Sequence, residues 1–209
     1  IAPHERILVL SDEIYESIVF AGHDFTSFAA ANPYLKDRTL TVNGLAKSHA
    51  MTGWRIGYAA GPAGLINAMT KVTSQSTTAA CTISQAAAVE ALLGDQSFVD
   101  MSRKRYEQRR NLLVDGLAKV PLLEAFAPEG AFYLFAECSA MIGKRTPDGD
   151  VIANDTDAAT YLLRHGKVAG VPGAAYGLEP YVRFSLATSE ELLEQALTQL
   201  AAATSQLTD

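Results

Sequence analysis

Short, almost continuously apolar segments alternate with helical patterns along the first half of the chain. Residues 6–11 (RILVLS), 39–42 (TLTV) and 55–60 (RIGYAA) are such segments, and they are typical of strands that are buried on both faces. Residues 62–73 place apolar side chains at helical spacing after a proline, and residues 82–93 end at a glycine, as a helix C-cap does. This alternation predicts an α/β fold. Residues 1–6 are expected to form a loop that leads into the first strand.

The pattern changes after residue 95, where one long charged helix is predicted to run to about Val120 and to stop at Pro121. Short elements of both kinds follow this helix. They are strands at residues 131–136, 167–171 and 181–186, a helix at residues 158–165, and a last helix from about Ser189. The sequence therefore predicts two domains, with residues 1–100 in an α/β part and residues 101–209 in a connecting helix and a small α+β domain.

Charge and apolar content exclude several classes of protein. The chain of 209 residues has 17 Lys and Arg against 23 Asp and Glu, a net charge of −6, so it lacks the basic surface that nucleic-acid binding requires. Hydrophobic residues make up 48% of the chain, which is enough for a real core. The apolar runs are much shorter than the roughly 18 residues of a membrane span. We therefore expect a small-molecule ligand and neither nucleic acid nor membrane as a partner.

The cysteine content favours a reducing compartment. Cys81 and Cys138 are the two cysteines of the sequence, too few for a disulfide framework or a zinc cluster. A cytoplasmic location is the expectation. Cys81 is expected to lie in an alanine-rich helix and to be a small core residue.

One lysine lies among three glycines directly after a predicted strand. The segment 43–58 reads NGLAKSHAMTGWRIGY, with Lys47 followed eight positions later by Arg55. An amine with apolar neighbours loses its charge more readily, which is what a Schiff-base lysine needs. A surface lysine at a strand end is the alternative from the residues alone.

Two other charged residues follow or interrupt predicted strands. Asp12 follows the first strand, and ligands of open α/β sheets bind at the carboxyl ends of strands. Its carboxylate could keep a heterocycle nitrogen protonated, or it could cap the next turn. Arg183 lies inside the apolar strand YVRFS, where its charge demands an anionic partner. That partner is either a structural carboxylate or the carboxylate of a substrate.

Taken together and in order, these motifs resemble the class I and II aminotransferases, pyridoxal-phosphate (PLP) enzymes with the aspartate aminotransferase fold. SDEIY is similar to the segment whose Asp pairs with the pyridine nitrogen and whose Tyr bonds the phenolic oxygen of PLP, which implies Asp12 and Tyr15. NGLAKS and MTGWRIGY resemble the Schiff-base lysine and the phosphate-binding arginine, Lys47 and Arg55. VRFS resembles the strand whose arginine, here Arg183, binds the substrate α-carboxylate. The resemblance is closest to the bacterial aspartate or aromatic branch.

Two further segments are similar to the family, and one position differs from it. Residues 128–133 (PEGAFY) and 171–177 (VPGAAYG) resemble small-domain segments that close toward the substrate, and Tyr176 is a candidate for lining the side-chain pocket or for packing the loop. Many members have a hydroxyl residue three positions before the lysine, where this chain has Gly44. One phosphate contact of those members must therefore be absent or replaced.

The resemblance implies a fold, a reaction and partners. The fold would be the carboxyl-terminal part of a PLP-binding large domain with a mixed, mostly parallel sheet, followed by the α+β small domain. The reaction would move an amino group between an aspartate- or aromatic-type amino acid and a 2-oxo acid in a cytoplasmic homodimer. It also implies that the amino-terminal half of such an enzyme is missing from this chain, so that the isolated piece is expected to be inactive. A PLP-dependent C–S lyase of the same fold and a non-catalytic PLP- or amino-acid-sensing regulator remain alternatives.

Overall fold

The computed structural model describes His4 and residues 6–209, which divide into two compact units. The first unit is Ile1–Arg103 and the second is Lys104–Asp209, so the division falls within helix Ser97–Leu117. The predicted loop at residues 1–6 lies mostly outside the described residues. Each unit has its own sheet, and the two units are described in turn.

The described part of the first unit contains one mixed sheet. Its strands are β1 (Val9–Asp12), β2 (Thr39–Gly44) and β3 (Gly57–Ala60), in the order β1-β2-β3. The pair β1–β2 is parallel, with Asp12 opposite Val42, and the pair β2–β3 is antiparallel, with Gly44 opposite Gly57. The helices of this unit are α1 (Phe28–Ala31), α2 (Leu45–Ser48), α3 (Ala63–Ser74) and α4 (Thr82–Leu93), with short 3₁₀ turns at Pro33–Arg38 and Thr52–Trp54.

The first strand differs from its prediction in bounds and in burial. Residues 6–8 precede β1, and the strand extends one residue further than predicted, to Asp12. Leu10 is 67% exposed, so within this chain β1 is not covered on both faces. Other large apolar side chains of this unit, among them Val72, Ile83 and Leu93, are also at least 70% exposed. A wide apolar surface of the first unit therefore faces outward in this chain.

The second unit packs a four-stranded antiparallel sheet against two helices. Its first helix, α5 (Ser97–Leu117), confirms the predicted long charged helix but ends before the predicted stop at Pro121, and it begins in the first unit. The strands are β4 (Glu124–Ala125), β5 (Tyr133–Glu137), β6 (Val171–Pro172) and β7 (Tyr181–Ser185), in the order β4-β5-β7-β6. The two helices are α6 (Asp155–Gly166) and α7 (Glu190–Thr204). Short 3₁₀ turns lie at Ser139–Met141 and Gly173–Tyr176.

Alternation along β5 and β7 separates the core of the second unit from the opposite face of its sheet. Leu134 and Val182 are completely buried, and Leu162 of α6 and Leu200 of α7 are buried with them. Because neighbouring side chains of a strand point to opposite faces, the residues between these core positions lie on the other face. Arg183 is among them.

The predicted strand at residues 167–171 is wrong for most of its length. Lys167 has a left-handed backbone, φ 55°, and its N–H closes the end of α6 by donating to the Leu162 carbonyl. The strand starts only at Val171. The run therefore consists of the C-cap residue of α6, a connection at residues 168–170 and the first residue of a two-residue edge strand.

Among the described residues, none of the helices combines the length and the apolar character that a membrane span requires. The same residues contain no group of three or more His, Cys, Asp or Glu side chains arranged to hold a metal ion.

The expectation that Cys81 is a core residue is wrong, because Cys81 is exposed at the start of α4 while Cys138 is buried. Hydrogen bonds from the Ser84 and Ile83 backbone lower the pKa of the Cys81 thiol, whereas burial, with Asp155 and Glu137 nearby, raises the pKa of the Cys138 thiol to about 12.

Since the thiolate is the reactive form, we expect iodoacetamide to label Cys81 at neutral pH and to leave Cys138 unmodified until the protein unfolds. Peptide mass spectrometry across a pH series would show this, with Cys81→Ser as the control. Early labelling of Cys138 in folded protein would contradict it.

Candidate cofactor and substrate site

Three elements of the first unit bring four of the predicted site residues to one edge of its sheet. Asp12 ends β1, and Lys47 lies on α2, which follows the carboxyl end of the parallel strand β2 without a break. Arg55 lies two residues before β3, and the antiparallel β3 begins opposite the end of β2. Tyr15 is three residues beyond Asp12, in the turn that leaves the same edge. Ligands of open α/β sheets bind at such an edge.

The turn after β1 is held by two hydrogen bonds directly after Asp12. The Ile14 N–H donates to Asp12 Oδ1 at 3.2 Å, and the Glu13 N–H donates to the Val42 carbonyl at 2.9 Å, which continues the ladder with β2. Asp12 itself is exposed. The turn therefore presents an accessible carboxylate on a fixed backbone.

Glu13 anchors this turn, and the sequence did not single it out. Its side chain is only 6% exposed. Its Oε1 accepts three hydrogen bonds, from Ser11 Oγ at 3.0 Å, Ser27 Oγ at 2.9 Å and the Phe28 N–H at 3.0 Å. A buried carboxylate with three donors ties the segment around Asp12 and Tyr15 to the start of α1. Acidic residues next to a strand end give no signal for such a role.

We expect Glu13→Ala to destabilise the protein by about 2–4 kcal/mol, because the half-buried donors of Ser27 and Phe28 lose a buried acceptor. Glu13→Gln keeps one acceptor oxygen and is expected to cost less than half as much. Urea unfolding followed by circular dichroism measures both values. Glu194→Ala, at an exposed position of α7, is the matched control. Equal stabilities of the Glu13→Ala variant and the control would refute the anchoring role.

Lys47 lies on a single helical turn whose start is buried. The buried side chain of Asn43 accepts from the Gly44 N–H at 2.7 Å, and Leu45 is 1% exposed. Lys47 is half-buried on this turn. Next to it, Ser48 Oγ and His49 Nδ1 are 2.8 Å apart. Lys47 is therefore a half-buried residue on a turn whose first residue is packed into the interior.

A short loop connects Lys47 to Arg55. The Thr52 hydroxyl donates to the Ala46 carbonyl at 3.2 Å, and the Arg55 guanidinium donates to the Thr52 carbonyl at 2.9 Å. Arg55 has a left-handed backbone, φ 51°, and its side chain is exposed. The buried Ser84 hydroxyl fixes the same loop by donating to the Trp54 carbonyl at 2.8 Å. These contacts place a cationic fork beside the turn that contains Lys47.

The donor set at this edge fits PLP. It combines an amine, a carboxylate, a phenol and a guanidinium, and these are the groups that a carbonyl carbon, a pyridine nitrogen, a phenolic oxygen and a phosphate need as partners. All four belong to the first unit, so no placement between the two units is needed for this match.

Arg183 lies in the second unit, in the middle of β7 and opposite Phe135 of β5. It is half-buried, and its guanidinium carbon lies over the rings of Tyr133 at 4.1 Å and Tyr176 at 4.3 Å. Within the described residues, no carboxylate lies within ion-pair distance of this guanidinium, and the guanidinium makes no hydrogen bond. The interpretation of Arg183 as half of a structural ion pair therefore lacks a partner.

Comparison with known proteins decides the family. The sequence profile of the family "Aminotransferase class I and II" matches residues 1–200 of this chain. The chain belongs to the class I and II aminotransferases. Two bacterial relatives of this aminotransferase chain are similar over nearly its whole length. "Aspartate aminotransferase" of Rhizobium meliloti (strain 1021) is 50% identical over 98% of this chain, and "Probable aspartate/prephenate aminotransferase" of Rickettsia bellii (strain RML369-C) is 50% identical over 94% of it.

A solved structure gives the same result for the fold. The crystal structure of the aspartate aminotransferase from Rhizobium meliloti superimposes with a TM-score of 0.94 at 49% identity, over 99% of this chain and 51% of that one. The predicted α/β fold with a mixed sheet and a following α+β part is therefore confirmed. The chain spans about half the length of the curated relatives that it matches, 50% and 49% for the two named.

Gly44, where this aminotransferase chain departs from many members of the family, lies at a close approach of two strands. A Cβ atom at Gly44 would lie 3.2 Å from the Cα of Gly57, the first residue of β3, and 3.2 Å from the carbonyl oxygen of Ile56, which precedes that strand. The close approach of β2 and β3 at this pair leaves little room for a hydroxyl side chain. Gly44 and Gly57 together allow the Lys47 turn and the Arg55 loop to lie side by side.

Proposed function

We propose that the intact protein that contains this chain is a PLP-dependent aminotransferase, which moves an amino group between an aspartate-type amino acid and a 2-oxo acid. The observation that carries the proposal is the meeting of Asp12, Tyr15, Lys47 and Arg55 at one sheet edge. The names of the relatives support the substrate class, with prephenate or another aromatic 2-oxo acid as the further candidate.

Each residue has a role in this proposal. When bound, PLP supplies an electron-accepting ring next to the substrate Cα. The Lys47 amine would hold PLP through its carbonyl carbon and, once the substrate amine has taken its place there, would move a proton at the substrate Cα as general base and acid. Asp12 would keep the ring nitrogen protonated, and Tyr15 would donate a hydrogen bond to the phenolic oxygen. Arg55 binds the phosphate, and Arg183 binds the substrate α-carboxylate with two parallel hydrogen bonds.

The same proposal assigns the two parts of the chain. Residues 1–100 would contribute the carboxyl-terminal part of the PLP-binding large domain, and residues 101–209 the connecting helix and the small domain. The outward-facing apolar side chains of the first unit support a further segment, the amino-terminal half, that covers them in the intact protein. A cytoplasmic homodimer is proposed as the assembled state, and the free thiols of Cys81 and Cys138 are consistent with a reducing compartment.

The test is an assay of the intact, PLP-loaded protein with aspartate as amino donor and 2-oxoglutarate as acceptor, followed by chromatography of the products. We expect oxaloacetate and glutamate in equal amounts. Phenylalanine as donor tests the aromatic specificity. Release of pyruvate and ammonia from a sulfur amino acid would replace the proposal with the C–S lyase, and PLP binding without any turnover would replace it with the sensor.

A further inference from the structure

The positive charge of Arg183 is held by aromatic rings of its own unit. The antiparallel pairing of β5 and β7 puts Tyr133 opposite Ser185, the next residue after Arg183 on the same face, and the Gly173–Tyr176 turn brings Tyr176 to the same guanidinium. Both ring centroids, at 4.1 and 4.3 Å from the guanidinium carbon, are well inside the roughly 6 Å within which a ring attracts a cation.

Rings and carboxylates stabilise an arginine in different ways. A carboxylate binds the N–H groups in the plane of the guanidinium, whereas the face of a ring attracts the charge and leaves those N–H groups unused. We propose that Tyr133 and Tyr176 are positioning residues for Arg183, which hold its fork in one orientation and keep its N–H donors available for the carboxylate of the substrate. This inference rests on the proposed function.

Tyr176 is 48% exposed, so its place over Arg183 depends on the turn that carries it. The Ala174 N–H of this turn donates to Oδ2 of Asp155, which is 1% exposed, at 2.9 Å. A Cβ at Gly173 would lie 1.8 Å from the Leu178 carbonyl oxygen, so the backbone there is packed too tightly for another residue. Phe135 contacts the Tyr176 ring edge-on, with centroids 5.7 Å apart. The ring therefore sits on an anchored turn.

The first experiment compares Tyr176→Leu with Tyr176→Phe in the intact, PLP-loaded protein. The probe is maleate, a dicarboxylate with no amino or oxo group that could react, and its Kd is measured by titration calorimetry. We expect Tyr176→Leu to raise the maleate Kd and the substrate KM by about 3- to 30-fold and to leave kcat within about twofold. Tyr176→Phe keeps the ring, so its maleate Kd, substrate KM and kcat are each expected to remain within about twofold of the wild-type values. Tyr34→Leu, at a position that is 93% exposed, is the matched control, and PLP content is measured for each variant.

A second measurement tests the geometry without using activity. A guanidinium over two aromatic faces has its Nε–H proton shifted upfield by ring currents, so the Arg183 signal, assigned with Arg183→Lys, should move downfield in Tyr176→Leu. An unshifted Arg183 signal in wild type, or an unchanged maleate Kd in Tyr176→Leu, would overturn the positioning role while leaving the proposed function intact. A loss in Tyr176→Phe equal to that in Tyr176→Leu would also overturn it, because the hydroxyl would then carry the effect. Wild-type protein that neither binds maleate nor transfers an amino group would overturn the proposed function itself.

Discussion

Replacing Lys47 with alanine is expected to abolish amino transfer in the intact protein, with a loss of at least about 10³-fold in kcat. The variant removes the only group proposed both to bind the carbonyl carbon of PLP and to move the proton at the substrate Cα. No neighbouring residue of the turn, such as Ser48 or His49, can do both. The measurement is a coupled assay with aspartate and 2-oxoglutarate.

The control for this variant is Lys71→Ala, which removes an exposed lysine of α3 and is expected to leave the rate unchanged. The absorbance of lysine-bound PLP gives a second readout, because Lys47→Ala should lose the band and still retain its fold by circular dichroism. A Lys47→Ala variant that kept about a tenth or more of the wild-type rate would show that Lys47 is not the catalytic lysine.

Replacing Arg183 with glutamine is expected to lower kcat/KM by about 10²–10³-fold, through a higher KM for both the amino acid and the 2-oxo acid. Glutamine removes the charge and the two parallel donors that grip a carboxylate. Arg183→Lys keeps the charge but loses the planar fork, so its loss should be intermediate. Steady-state kinetics with both substrates measures kcat/KM for the wild type, Arg183→Gln and Arg183→Lys.

Arg164→Gln, at an exposed position near the end of α6, is the matched control and should behave as wild type. Bound PLP should be unaffected in Arg183→Gln, because the proposed cofactor residues all belong to the first unit. Similar kcat/KM values for Arg183→Gln and Arg164→Gln would remove Arg183 from the substrate site.

The motifs were visible in the sequence because their constraints are local. Lys47 and Asp12 each closely follow a predicted strand, and the alternation around Arg183 needs only a period of two to be recognised. By contrast, the anchoring of the Asp12 turn by Glu13 depends on Ser27 and Phe28, fourteen and fifteen residues away, and no local pattern announces it.

The errors in the prediction also arise where contacts between residues far apart in the chain override the local pattern. The run at residues 167–171 is apolar enough for a strand, but the left-handed Lys167 that ends α6 is decided by packing and not by composition. Cys81 adjoins an alanine-rich pattern that suggests a core, yet which face of α4 is covered depends on what packs against it.

The sequence by itself determined the alternation of strands and helices, the change of pattern after residue 95, and the residue types of the candidate site, because each of these is encoded over a few neighbouring positions. Only the tertiary structure decided that β1, β2 and β3 bring Asp12, Lys47 and Arg55 to one edge. It also decided that Arg183 packs against two tyrosine rings and has no carboxylate partner among the described residues. Strand register and loop anchoring join residues far apart in the chain, and their energies exist only once those residues are in contact.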